Sequence, residues 1–291
     1  MRTAETSSAS SHPSASDAAD SMGTTVSDAC LTVERDFAAA WWLLAEAAGH
    51  ELHDEPEMRW FHTGPPDAHL NPVLVTRLQP DEADAVIDRM VADLTDRGAP
   101  FMWWVTPSSS PDDLASRLAS RGFVADDPWP GMTLEVDAMR EPPPVAGLTV
   151  RRVTTETELQ TYVRIFAPIL SPSAAFTALF VDGSRRIGYD EAAPEVHFVG
   201  LLDGEPVATV SLLTAGGAAG IYNVTTVERV RRRGIGAVMT AAAVHAGRRR
   251  GLITATLQAS TMGRATYEGL GFRHACDLVP YRSPMEAGHE S

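Results

Sequence analysis

The stretch that most limits what this chain can fold into is residues 221–237, IYNVTTVERVRRRGIGA. It runs from an apolar segment of strand length through a short polar turn into a glycine-bearing loop that opens a helix. At its centre is Arg231-x-x-Gly234-x-Gly236. A loop of this kind turns successive backbone N–H groups toward one point, and the helix behind it adds the positive end of its dipole. The combination suits a pyrophosphate. Glycines that open helices are common and arginine runs are usually solvated turns, so taken alone the stretch is an unspecific anion cradle.

Composition narrows the chemistry. The 291-residue chain has no lysine, so all 24 of its basic residues are arginine. A Walker-type phosphate loop, a Schiff-base lysine and a kinase-type lysine are excluded together, because each needs an amine. The net charge of -14 is unevenly spread. Residues 1–146 carry 9 Arg against 25 Asp+Glu, and residues 147–283 carry 15 Arg against 11. An acidic chain is a poor nucleic-acid partner. The mildly basic part is where an anionic cofactor would go, while the acidity of the rest serves solubility. Two cysteines, Cys30 and Cys276, make no disulfide framework and fit a reduced, cytoplasmic setting. No apolar run approaches membrane-spanning length, and no apolar segment suggests a secretory signal.

In chain order, residues 1–28 are rich in Ser, Ala, Thr and Asp and read as a disordered tail. Residues 33–48 have helical spacing, with Phe37, Trp41, Leu44, Ala45 and Ala48 on one face and Gly49 as the stop. HELHDE follows as a loop. Its histidines His50 and His53, with His62 and His69 beyond, lack clean ligand spacing, so no metal site is expected. Strands are expected at 58–62, 72–78, 101–105 and 132–136, with helices at 81–97 and from Pro111 to Gly122. Trp103 and Trp104, adjacent on a strand, should point to opposite faces and pack as core. EPPPVAG, residues 141–147, is a proline-rich linker and marks a domain boundary. Beyond it, strands are expected at 148–153, 196–202, 207–213, 219–227, 253–258 and 274–281. Helices are expected at 156–166, 174–181, 234–250 and 261–270, with Pro168 and Asp182-Gly183 as breaks and a polar loop over 182–195.

A second motif lies downstream: Ser260-x-x-Gly263-x-x-x-Tyr267-x-x-x-Gly271-Phe272. A dinucleotide-binding fold does not fit, since the third glycine and the alternating strand–helix start are missing. The two motifs, in this order and at this separation, resemble the GNAT acyl-CoA N-acyltransferase family over most of residues 148–282. That family's loop reads Arg/Gln-x-x-Gly-x-Gly/Ala, and its later segment commonly reads Asn-x-x-Ala-x-x-x-Tyr-x-x-x-Gly-Phe. Ser260 stands at the Asn position and Gly263 at the Ala position, while Tyr267, Gly271 and Phe272 match.

The resemblance implies an α/β (α+β) chain of the acyl-CoA N-acyltransferase fold, with a mixed central sheet flanked by helices. It implies acetyl-CoA as co-substrate, no metal, and direct transfer to a small-molecule or peptide amine. The backbone of Arg231, Arg232, Arg233, Gly234, Ile235, Gly236 and Ala237 would hold the pyrophosphate, with Ser260 and Gly263 in the later cofactor segment. Backbone amides around Thr225, Thr226 and Val227 would polarise the thioester carbonyl. Tyr267 would be the general acid for the leaving thiolate; a purely packing aromatic is the alternative. Many family members carry a glutamate on the strand where this chain has Ala219 to Val224 without a carboxylate. Tyr222 or Asn223 could hold a water that takes the proton, and a structural hydrogen bond would equally explain Asn223.

Residues 98–123 echo 251–272: each has Arg-Gly, a buried strand, a helix and then Gly-Phe. Residues 31–139 therefore read as a degenerate first copy of the same fold, and 148–283 as the catalytic copy, flanked by the 140–147 linker and a 284–291 tail. The first copy's equivalent of the phosphate loop, residues 78–82, has a proline and two acids where glycines are needed, and should repel a pyrophosphate. Two other readings stand beside N-acetyl transfer. One is a non-catalytic CoA-binding or protein-interaction module, and the other is a mycothiol-synthase-like enzyme suggested by the two-copy layout.

Overall fold

The structure, a computed structural model, describes residues 26–285. The expected tail at 1–28 thus falls outside the described residues except for 26–28, and that at 284–291 except for 284–285. The first half contains α1 (Asp28–Ala48), β1 (Glu51–Asp54), β2 (Met58–His62), β3 (Pro72–Thr76), α2 (Ala83–Asp96), β4 (Met102–Val105), α3 (Leu114–Ser120), β5 (Val124–Ala125) and β6 (Trp129–Glu135). The second contains β7 (Leu148–Arg152), α4 (Glu156–Leu170), α5 (Ala174–Ile187), β8 (Glu195–Leu202), β9 (Glu205–Leu213) and β10 (Ala219–Thr226). It ends with α6 (Ile235–Arg249), β11 (Thr254–Gln258), α7 (Arg264–Leu270) and β12 (Arg273–Arg282). No helix among the described residues is long and apolar enough to cross a membrane.

Local chemistry sets the ends. Ser27, Thr155 and Ser173 cap α1, α4 and α5 by accepting from the N–H three residues on. Glu158 also holds the approach to α4 by accepting from Thr154 N, one residue before the cap. Gly49, in the left-handed region, closes α1 with its N–H on Ala45 and Glu46.

The strands form one mixed sheet in the order β1-β2-β3-β4-β12-β6-β11-β10-β9-β8-β7, with β5 attached to β12. The order nearly mirrors itself about the β12–β6 pair. In each half an antiparallel set leads into one parallel pair, β3–β4 in the first and β10–β11 in the second. The innermost strands are then exchanged. β6, from the first half, lies antiparallel to β11, and β12, from the second, lies antiparallel to β4. Met132 and Leu134 of β6 consequently join the core under α6 and α7, while Tyr281 of β12 packs against the core under α2 and α3.

Helices cover both faces. Trp103 is buried with α2 and α3 on one side, and its sheet neighbour Trp104 is buried with α1 on the other, as the pleat requires. α1 crosses the junction of the halves, touching β12, β6, β11 and β10 and lying along α5.

Several sequence expectations change. HELHDE is not a loop: Glu51–Asp54 is an edge strand on β2, and His53 stacks on Trp60 with ring centroids 3.8 Å apart. Pro168 does not break α4, which continues to Leu170 because Ile165 and Phe166 remain buried around it. Gly183 does not end α5, and the helix runs to Ile187. A Cβ at Gly183 would lie 3.1 Å from the Leu44 carbonyl oxygen, so this glycine lets α5 cross close to α1.

Candidate active site

The parallel pairing of β10 and β11 is brief. Only Ala219↔Ala255 and Gly220↔Thr256 are in register. Beyond Tyr222 the register of β10 on β9 shifts, and Asn223 takes a φ of 52°. A non-glycine residue there marks a bulge that turns the strand away from its neighbour. β10 and β11 therefore open like a V. Asn223's carbonyl is held by the Thr209 hydroxyl at 2.9 Å, which fixes the bulge.

The open end leads to residues 231–237. Gly234 has φ 81° and Arg232 φ 64°. Among the described residues, none of the six N–H groups from Arg232 to Ala237 donates to another protein group. They sit at the N-terminus of a 15-residue helix, where partial positive charge gathers. A Cβ at Gly236 would touch only the Thr226 hydroxyl, at 3.9 Å, so the space in front of the loop is open. Ile235 is core, and only its backbone faces the loop. Arg231 Nε donates to the Thr226 carbonyl at 3.0 Å, tying the loop to the strand, while Arg232 and Arg233 are exposed.

The expected amides on β10 are partly committed. Val227 N–H donates to Val207 O at 2.9 Å, which removes it from the set that could face a thioester. The Thr225 side chain is buried against Thr209, so Thr225 can offer only backbone. Ser260 Oγ accepts from Gly263 N at 3.1 Å and shapes the turn before α7. Gly263 is small for a reason: a Cβ there would lie 2.8 Å from the Tyr267 ring. Tyr267 is buried, edge-on to Phe272, and burial pushes its phenol up to about 12.

Two carboxylates that sequence reasoning missed lie here. Asp36, on α1 of the first half, is buried between β10 and β11. Its Oδ2 accepts from the Thr256 hydroxyl at 2.5 Å and the Tyr222 hydroxyl at 3.3 Å, and its Oδ1 has no partner. Burial pushes the carboxyl up to about 7 against the pull of those hydrogen bonds and of Arg35. The same burial, with Asp36 beside it, holds the Tyr222 phenol well above its ordinary range. Glu195, at the head of β8, is 2% exposed. Its Oε2 accepts from Ser184 Oγ at 3.0 Å and lies 3.4 Å from His197 Nε2. Ser211 links His197 Nδ1, at 2.8 Å, to the Tyr162 hydroxyl, at 2.7 Å. The readable signal for Asp36 was an acid on an otherwise apolar helix face, between Val33 and Phe37.

A cavity of about 680 Å³ opens between α1, the α4–α5 connection and the bulge. Tyr222, Asn223 and Gln258 line it, with Trp41 of α1 and Phe176 of α5 on its walls. Tyr267 is not part of that lining. It belongs to the core on the α6–α7 side, and the V between β10 and β11 separates the two. The corresponding opening in the first half is laced shut. Ser110 N donates to Thr76 O at 3.0 Å, Leu78 N to Ser110 O at 3.1 Å, and Trp103 Nε1 to the Thr76 hydroxyl at 2.8 Å. The histidines form no metal cluster among the described residues. Cys30, Glu34 and Cys276 bring their ligand atoms within 4.8 Å, and burial raises both thiols, Cys276 to about 11.

Comparison with known proteins accords with this geometry. Residues 164–272 match the acetyltransferase (GNAT) family. No curated protein matches the chain. Among solved structures, a GCN5-related N-acetyltransferase from Kribbella flavida aligns with a TM-score of 0.67 at 18% identity, covering 87% of this chain and 95% of that one. A tandem GNAT protein from the clavulanic acid biosynthesis pathway aligns with a TM-score of 0.56 at 15% identity, covering 86% and 95%. A GCN5-related N-acetyltransferase from Sphaerobacter thermophilus gives 0.55 at 15% identity, covering 90% and 97%. At these identities the likeness is one of fold.

Proposed function

Because residues 164–272 match the acetyltransferase (GNAT) family, we propose that the protein moves an acetyl group from acetyl-CoA directly to an amine. The observation that carries this is the row of six unengaged N–H groups opening α6 beside the V. They suit the CoA pyrophosphate, and the V suits the arm that leads from it to the thioester.

The chemistry can be assigned to named groups. An ammonium entering the cavity loses a proton to the Tyr222–Asp36 pair: the phenol passes its proton to Asp36 and takes one from the nitrogen. The hydrogen bond between them supports this route, and a carboxyl near 7 is matched to the task at neutral pH. The neutral nitrogen attacks the thioester carbon, with backbone N–H groups after the bulge, Val227 excepted, stabilising the oxyanion. The C–S bond breaks, Tyr267 protonates the thiolate, the remaining extra proton of the amide nitrogen restores the Tyr267 phenol, and Asp36 releases the proton it took to solvent as the products leave. A phenol raised to about 12 is fully protonated at neutral pH and so available as the acid.

Only the second half would carry cofactor, since the first half's opening is closed by its own hydrogen bonds and bordered by Asp81 and Glu82. Calorimetric titration with acetyl-CoA tests the reading. One site per chain is expected, with affinity reduced at least about tenfold by Gly234→Glu plus Gly236→Glu, which put carboxylates where phosphate oxygens would sit. No heat at millimolar acetyl-CoA, or unchanged affinity in the double variant, would overturn it.

A further inference from the structure

We infer that the acceptor is a cationic monoamine with an aryl or comparably bulky apolar body, seated with its nitrogen beside the Asn223 bulge and in the negative field of Glu195. This rests on the acyl-transfer reading and goes beyond it by fixing the class of acceptor.

The walls of the cavity come from both halves. Phe37 and Trp41 of α1 stand on one side, and Phe166, Phe176 and Phe180 of α4 and α5 on the other. Trp41 and Phe176 meet edge to face, 5.7 Å between centroids, across the boundary between the halves. At about 680 Å³ the space fits a compact ligand. Such walls reward apolar and aromatic area. The rings themselves offer no partners to the polar groups of an amino sugar or a peptide backbone, which lose water against them.

Charge selects further. The lining includes two carboxylates, Asp67 and Glu195, and no arginine. Asp67 already accepts from His69, whereas Glu195 is almost fully buried with one serine hydroxyl and a histidine as its partners. A buried carboxylate without a full countercharge favours a cation, and the surrounding ring faces favour one too. The sheet register aligns Glu195 with Leu213 and Leu213 with Gly220. Two strand spacings, about 10 Å, thus separate Glu195 from the start of the V, so its charge acts on the nitrogen across the cavity rather than by contact. Tyr222 and Asn223 line the same cavity, so the nitrogen of a ligand seated there lies beside the bulge.

The test is calorimetry on the full chain saturated with CoA, using three probes. 2-Phenylethylamine has both charge and body, 2-phenylethanol has the body alone, and glucosamine has the charge on a polar body. We expect 2-phenylethylamine to bind at least about tenfold more tightly than either of the others. Glu195→Gln should cut its advantage over the alcohol about fivefold, and Trp41→Leu should weaken its binding about fivefold, with acetyl-CoA affinity unchanged in both. If one variant fails to fold, the other still reads the site. Glucosamine binding as well as the aryl amine, no binding by any probe, or both variants leaving the preference intact would overturn the inference. Loss of acetyl-CoA binding in the wild type, with the aryl amine still bound, would instead sink the acyl-transfer reading alone.

Discussion

Asp36 is the residue on which most of the site turns. Its carboxyl is raised from an ordinary 3.8 to about 7 because burial opposes the charge more than two hydroxyls and Arg35 favour it. The folded protein therefore holds this proton more tightly than the unfolded chain. Stability from this group is fullest below about pH 4 and falls as pH climbs through about 7, by up to about 4 kcal/mol. Thermal melts should show the wild type losing stability between pH 5 and pH 8, and Asp36→Asn flattening that fall by at least half. An equal fall in both proteins would mean that Asp36 does not titrate there. The same variant should lower kcat by about a hundredfold and remove the acid limb of its pH profile. Tyr267→Phe makes a separate prediction: kcat drops by about tenfold or more with little change in acetyl-CoA affinity, and an unchanged kcat would remove Tyr267 from the mechanism.

Among the elements, α1 is the one that sequence reasoning found yet understood least; it starts at Asp28, five residues before the expected start. Its apolar face was legible from 3.6-residue spacing, but where that face would dock was not, because its partners on β10 and β11 lie about two hundred residues away. The phosphate-loop candidate was legible because strand, loop and helix dipole are contiguous. The bulge at Asn223 was not, since nothing in NVTT announces a positive φ. Gly183 misled for a related reason: a glycine written in a sequence signals a helix end and a close crossing alike. Gly216 belongs to the second kind. A Cβ there would collide with the Asp36 Cα, which is backbone and cannot swing aside. Gly216→Ala should therefore cost about 1–3 kcal/mol in urea denaturation and depress activity by lifting α1 off β10. A neutral substitution would show that α1 sits less tightly than described.

For the whole molecule, the exchange of β6 and β12 matters more than the linker. The sequence echo between 98–123 and 251–272 pointed to two similar halves, and the mirrored strand order agrees with that layout. It gave no hint that each half completes its sheet with the other's strand, because pairing partners are set by space rather than by spacing. Cutting the chain between 140 and 147 would leave β4 and β11 as bare edges. Residues 148–285 expressed alone should aggregate and bind no acetyl-CoA, whereas co-expressed halves should restore binding; a soluble, binding fragment would contradict the exchange. The exchange also orders events in time. Roughly 170 residues separate β4 from the strand that covers it. At about 5–20 residues per second, a ribosome holds that edge open for about 10–30 s before β12 is made. The first half is thus born waiting for the last, and shielding by chaperones during synthesis should matter more for this chain than for two independent domains of the same length.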